Sequence, residues 1–222
     1  MNIKDVEEVK KIYDTYGKYF AYMENNNLNR KKLSEILSSM IGNVNGKRIL
    51  DAGCGIGNDC KILSRYGAEV IGIDVSEKMI EMARDNCKNS KVELRIRDME
   101  NTGFQKGEFD IIVAAFSLLY SQNLSEVIKE FRRILKKNGE LYIIVSHPIR
   151  KMIKYTKDYF DTGKHWERFG EMKFFNYYRT IEEYINTLVF QGFVIKEVRE
   201  PKPTETDENT FPHYLIIKSV ND

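Results

Sequence analysis

A chain of 222 residues, 42% hydrophobic and 31% charged, suits one ordinary globular domain, residues 1–222, near the upper size for a single core. Its formal net charge of +2 offers no general footprint for nucleic acid, which requires a strongly basic face. No apolar run approaches a membrane span, and Met1-Asn2-Ile3-Lys4-Asp5 has no apolar signal region, so a cytoplasmic protein without membrane contact is expected. Cys54, Cys60 and Cys87 are odd in number and lack the paired spacing of a zinc site. They read as buried thiols in a reducing compartment, and no metal is expected. Charge clusters such as Glu7-Glu8 with Lys10-Lys11, and the run Arg30-Lys31-Lys32, read as solvated helix faces.

Val6, Val9, Ile12, Tyr13 and Tyr16, then Leu33, Ile36, Leu37 and Met40, recur at helical spacing. They predict two amphipathic helices in an N-terminal helical cap, residues 1–45, separated by a polar loop at Glu24-Asn25-Asn26-Asn27. From Lys47, strand and helix alternate. Ile49 to Ala52 is a strand, Asn58 to Tyr66 a helix closed by Gly67, and Glu69 to Ile73 the next strand. Ser76 caps a helix with the apolar face Met79, Ile80, Met82 and Ala83, and Val92 to Arg97 follows as a third strand. Phe109 to Ala115, broken only by Asp110, suits a strand covered on both faces. A helix from Leu124 to Lys136 stops before Asn138-Gly139, and Glu140 to Ser146 makes a fifth strand. The alternation predicts an α/β fold with a doubly wound parallel sheet, right-handed crossovers and helices on both faces.

After Pro148 the rhythm changes. Residues 150–179 carry Tyr155, Tyr159, Phe160, Trp166, Phe169, Phe174, Phe175, Tyr177 and Tyr178 with no clean period, an aromatic insertion that reads as a lid or a packed accessory element. Thr180 then caps a helix from Ile181 to Gln191, closed by Gly192. Phe193 to Arg199 and His213 to Ser219 are strands joined by a polar connection from Pro201 to Thr210, long enough for an antiparallel pair.

The chemistry concentrates between Lys47 and Asp74. A strand runs into Asp51-Ala52-Gly53-Cys54-Gly55-Ile56-Gly57, a turn whose glycines let backbone pass close to a ligand while the next helix aims free N–H groups at the same space. Asp74, about 20 positions past the first glycine, ends the neighbouring strand, where a carboxylate accepts from ribose hydroxyls. The Asp51 carboxylate would repel a pyrophosphate and suits a cationic amino-acid moiety. Cys54 lies in the turn without a nearby histidine to activate it, and reads as a small packing residue.

These residues resemble the first motif, D-x-G-x-G-x-G, of the class I S-adenosylmethionine-dependent methyltransferases. The resemblance runs from about Tyr13 to Ile217 and is most specific between Arg48 and Asp98. It implies a Rossmann-like, mostly parallel seven-stranded sheet with one antiparallel strand, and S-adenosylmethionine as the cofactor, with S-adenosylhomocysteine as product. It places Asp51, Gly53, Cys54, Gly55 and Gly57 around the methionine portion and Asp74 on the ribose. It sets Val75 and Met79 against the adenine, with Asp98 accepting from the adenine amino group and Met99 contacting through its backbone. Ala115 would line the sulfonium end. A carboxylate after a strand is also a common cap of the following helix.

Methyl transfer from a sulfonium draws most of its acceleration from alignment and water exclusion, with a general base where the acceptor must lose a proton. His147, at the end of the fifth strand, is the candidate base, or simply ends the strand before Pro148. Tyr16, Tyr120, Trp166, Tyr177 and Tyr178 are candidates for the acceptor pocket, by shape or by cation–π contact. Within the family, Ala114-Ala115-Phe116-Ser117 lacks the N/D-P-P-Y/F motif of amino-adenine enzymes, Phe116 to Leu124 lacks the paired glutamates of protein arginine enzymes, and Ala115 cannot ligate Mg²⁺. What remains resembles the small-molecule branch, acting at O, N or C, as a monomer or homodimer. Two readings stand beside it: an RNA methyltransferase using Lys151, Lys154, Lys157 and Lys164 on phosphates, and a non-catalytic module that keeps the cofactor pocket.

Overall fold

The most uniformly apolar segments become the interior strands of a sheet covered on both faces. The computed structural model describes residues 3–26, 28–202 and 211–222. Helices α1 (Ile3–Asn26) and α2 (Leu28–Ile41) precede β1 (Arg48–Ala52), α3 (Asn58–Arg65), β2 (Glu69–Asp74), α4 (Glu77–Cys87) and β3 (Val92–Ile96). β4 (Phe109–Ala115), a 3₁₀ turn at Ser117–Tyr120, α5 (Leu124–Ile134), β5 (Leu135–Ser146) and the short α6 (Pro148–Lys151) follow. A π-helical turn at Met152–Thr156 leads to β6 (Gly163–Phe169) and β7 (Met172–Tyr178), then α7 (Ile181–Phe190), β8 (Phe193–Arg199) and β9 (Tyr214–Asn221).

The main sheet has seven strands in the order β3-β2-β1-β4-β5-β9-β8. Pairings among β1 to β5 are parallel, while β9 runs antiparallel to both β5 and β8 and is the one reversed strand. Period-two alternation splits the strand residues between two cores. Leu50, Ala52, Ile71, Ile73 and Ile112 pack against Val9 and Ile12 of α1, Phe131 of α5 and Leu188 of α7. Ile49, Val70, Ile111 and Val113 face Leu33 and Leu37 of α2, Leu63 of α3 and Ile80 of α4. Caps mark the helix starts: Ser76 Oγ accepts from Met79 N–H at 3.2 Å, and Thr180 Oγ1 from Glu183 N–H at 3.1 Å. Among the described residues no helix is long and apolar enough to cross a membrane.

Three expectations need correction. The polar stretch at Glu24 is helical through Asn26, because Asn26 Nδ2 donates to Tyr22 O at 2.8 Å and Asn25 Oδ1 accepts from Asn58 of α3; Asn27 lies outside the described residues. Helix α5 ends at Ile134, not Lys136: β5 starts at Leu135 and bulges between Leu135 and Glu140, where Asn138 takes φ +60°. The aromatic insertion has regular structure, a β6–β7 hairpin closed by the two residues between Phe169 and Met172, of which Gly170 has φ +59°. The connection expected from Pro201 to Thr210 lies, from Pro203 onward, outside the described residues.

Candidate active site

The glycine turn leaves the C-terminal end of β1 and is tied at once to β2: Gly53 and Cys54 N–H both donate to Ile73 O, at 2.8 and 2.9 Å. Gly53 has φ +78°, and a Cβ there would stand 2.3 Å from Ser117 Cβ, so only glycine lets the turn pass under the loop after β4. Gly57, at φ +75°, starts α3 and would press a Cβ to 3.0 Å from Cys87 Sγ of α4. Its task is helix packing. Phe116, at φ +62°, turns the chain sharply after Ala115, a left-handed backbone stored beside the cavity.

A cavity of about 390 Å³ opens at the C-terminal ends of β1, β2 and β4, between α1 on one side and the β6–β7 hairpin on the other. The end beside the glycine turn is acidic. Asp51, 2% exposed, accepts from Cys60 Sγ at 3.1 Å; burial and the neighbouring Asp59 charge raise it to about 7, against that hydrogen bond and the Arg30 charge. Asp59 accepts from Ser34 Oγ at 3.0 Å and from Arg30, which also pairs with Glu24 at 3.3 Å. Burial raises Glu24 as well. Three carboxylates thus share one guanidinium, an excess of negative charge that a cation relieves. Asp74 ends β2 with Oδ2 accepting from Gly55 N–H at 3.0 Å and Oδ1 from Ser76 N–H at 2.9 Å. Removal from water raises it to about 6 in spite of these bonds, and each oxygen keeps a lone pair for a ribose hydroxyl. The residues present fit the methionine and ribose portions of S-adenosylmethionine.

Under the hairpin the cavity is lined differently. Lys151 of α6, 7% exposed, donates to Glu167 Oε1 of β6, and Asn176 Nδ2 of β7 donates to the same oxygen. Tyr155, Phe169, Met172 and Phe174 surround this group, and Tyr120 meets Tyr13 of α1 edge to face, ring centroids 5.4 Å apart.

Of the residues expected at the site, Asp51, Gly53, Cys54, Gly55, Asp74, Val75, Met79, Met99, Ala115 and Tyr120 line the cavity. Cys54 is hydrogen-bonded to Cys60, which lowers its pKa, yet burial and Asp51 push the thiol up to about 11, far from a thiolate nucleophile. Gly57, Asp98, His147, Tyr16, Trp166, Tyr177 and Tyr178 do not line it. Asp98 accepts from Glu100 N–H at 2.9 Å within its own turn, between wall residues Arg97 and Met99. His147 is fully buried: Nδ1 accepts from Ile149 N–H at 3.1 Å as the cap of α6, and Nε2 meets Glu200 at 2.7 Å. Burial lowers its pKa against Glu200. Both ring nitrogens are engaged away from the cavity. Tyr16 packs on the core, Trp166 is half exposed beneath Lys173, and Tyr178 stacks on His165 at 4.4 Å. Tyr177 Oη donates to Asp5 at 2.9 Å. Two of the four lysines expected on phosphates are paired with carboxylates instead. Lys151 is buried on Glu167, Lys164 is held by Asp5 and Glu8, and Lys157 donates to Ile153 O.

Sequence reasoning passed over Glu24, Arg30, Asp59, Glu167 and Asn176. Arg30, read above as solvated, is pulled inward by position: it precedes Leu33 and Leu37 by three and seven residues and shares their buried face. Glu24 likewise lies four residues past Phe20 on the Tyr13 side of α1. Glu167 and Asn176 become visible once the hairpin register is known. Glu167 and Phe169 on β6 then share a face with Met172, Phe174 and Asn176 on β7.

A doubly wound sheet with a glycine turn after its first strand and a carboxylate at the tip of the second defines a nucleoside-cofactor-binding domain. Residues 50–143 match the family described as methyltransferase domain. A Listeria monocytogenes structure described as an S-adenosylmethionine-dependent methyltransferase is 27% identical, with a TM-score of 0.75 over 85% of this chain and 97% of that one. The ubiquinone biosynthesis O-methyltransferase of Pelagibacter ubique is 27% identical over 76% of this chain and 78% of that protein. The demethylmenaquinone methyltransferase of Tropheryma whipplei is 34% identical, and there the match spans 50% of this chain and 47% of the relative, about half its length. Residues 50–143 are thus a methyltransferase domain, in a chain similar over most of its length to an S-adenosylmethionine-dependent methyltransferase, and S-adenosylmethionine is its cofactor.

Proposed function

We propose that the protein methylates a small-molecule acceptor at oxygen, nitrogen or carbon inside this cavity. The observation that carries the reading is a cavity of about 390 Å³ whose acidic cofactor end continues under α1 and the hairpin into an aromatic compartment of small-molecule size. On this reading Asp51 and Glu24 hold the cationic amino-acid end of the donor, Asp74 the ribose, and Val75 and Met79 flank the adenine. The donor supplies a methyl group on a sulfonium. The N-terminal cap, residues 1–45, and the insertion, residues 150–179, exclude water and align the acceptor, which supplies most of the acceleration such a transfer needs. Quinone methylation by the relatives supports a small acceptor, and the three free buried cysteines support a reducing, cytoplasmic setting.

Calorimetry with S-adenosylmethionine and S-adenosylhomocysteine tests the donor end. Labelled-methyl transfer into separated small-molecule and RNA fractions of a cell extract tests the acceptor end. Label appearing only in small molecules is expected; label confined to RNA, or none despite cofactor binding, refutes the reading in favour of an RNA enzyme or a non-catalytic module.

A further inference from the structure

The two ends of the cavity differ in charge. Glu24, Asp51, Asp59 and Asp74 make the cofactor end acidic around Arg30. Beneath the hairpin, Glu167 neutralises Lys151, which leaves Arg150 as the uncompensated charge on that wall. Among the described residues no carboxylate pairs with it, and its Nε is buried without a hydrogen-bond partner. Asn176, 2% exposed, faces the same space with Oδ1 buried and unpartnered. Its amide orientation is set by Glu167, since the reversed amide would turn oxygen against carboxylate. Burial pushes the Lys151 ammonium below its usual range, so another negative charge beside it stabilises the charged form. An orphaned buried donor or acceptor is destabilising, a cost that a ligand bearing the complementary groups removes.

Building on the methyl-transfer reading, we propose that the acceptor is a small carboxylate with an aromatic or apolar body and a hydroxyl or amine donor. The carboxylate sits on Arg150 and Lys151, the donor on Asn176 Oδ1, and the body against Phe169 and Phe174. A cationic donor and an anionic acceptor then occupy opposite ends of one cavity, each beside its counter-charge.

The test uses the full chain saturated with S-adenosylhomocysteine, whose binding is first measured by calorimetry. It is titrated with 4-hydroxybenzoate, 4-aminobenzoate and indole-3-acetate, each against its primary amide, and with tyramine as a cation. A carboxylate is expected to bind about tenfold or more tighter than its amide, the scale of one charge-assisted hydrogen bond, and tyramine weakest. Arg150→Gln should erase that preference while S-adenosylhomocysteine affinity stays within about twofold, which shows the variant folded. Cofactor binding with no carboxylate preferred over its amide overturns this inference alone. Failure of S-adenosylhomocysteine to bind overturns the methyl-transfer reading and this inference with it.

Discussion

With Asp51 on the donor ammonium as proposed, donor affinity should depend on pH. The Asp51 carboxyl, raised to about 7 by burial and by Asp59, must be ionised to face a ligand ammonium, so binding expels a proton. Between pH 6.0 and 7.5 the ionised fraction of a group at about 7 rises from roughly 0.09 to roughly 0.76, an eightfold change worth about 1.2 kcal/mol. Asp74, raised to about 6, adds about twofold over the same interval. S-adenosylhomocysteine, whose α-ammonium stays largely charged in this window, should therefore bind about 16-fold tighter at pH 7.5 than at pH 6.0 by calorimetry. Asp51→Asn should keep only the twofold slope and bind at pH 7.5 about as weakly as the native protein at pH 6.0. The sign reverses for the free protein. A folded pKa above the unfolded value stabilises fully below about 4 and is lost as pH rises through the folded value, so with Asp51 and Asp74 together ligand-free stability should fall by about 1.6 kcal/mol from pH 6.0 to 7.5. A flat affinity profile, or an Asn variant with the native slope, refutes the assignment of this proton to Asp51.

Arg179 is 6% exposed and donates to the carbonyls of Leu118, Ser121 and Gln122, so Arg179→Ala should cost about 3 kcal/mol and lower Tm by roughly 6–12 °C in a thermal melt. A drop under about 2 °C would show that water replaces the guanidinium without penalty. Gly53→Ala should weaken S-adenosylhomocysteine binding at least about tenfold, whereas Gly46→Ala, at φ +71° with nothing within 4 Å of its Cβ, should cost only about 1 kcal/mol of backbone strain and no affinity. Ser76→Ala removes both the cap on Met79 N–H and the 2.7 Å bond to Asp14, an expected loss of about 1 kcal/mol in urea denaturation with an unchanged m value. His147→Asn keeps a capping side chain for α6 and should retain methyl transfer within about threefold; a hundredfold loss would return the imidazole to the chemistry.

That the residues proposed for the donor would gather at one cavity was legible because their signals are local. Gly53, Asp51 and Asp74 lie on one strand-turn-helix-strand unit, where spacing alone converts to position. The reversed strand was legible too, since the run after Phe193 and the run before Val220 share a long connection. The acceptor end was not. Lys151, Glu167 and Asn176 are brought together by a hairpin whose β6 strand is largely exposed and whose aromatic residues point to both sides, so no period-two pattern marks it. Arg30 was misread because three consecutive basic residues suggest a wet surface, while the heptad relation to Leu37 that buries one of them is weaker to the eye. His147 looked catalytic from its place at a strand end. Only its two occupied nitrogens reveal the cap.

Asp5 of α1, 4% exposed, accepts from Lys164 of β6 at 2.8 Å and from Tyr177 of β7 at 2.9 Å. Lys164 also pairs with Glu8, so α1 and the hairpin are tied by a small polar cluster beside the ring contacts of Tyr19 with Phe169 and Phe20 with Phe174. Swinging α1 outward must either break these contacts, at a cost of a few kcal/mol, or carry the hairpin along. In the second case the gate has a single leaf, and spent donor and methylated product leave through the same motion.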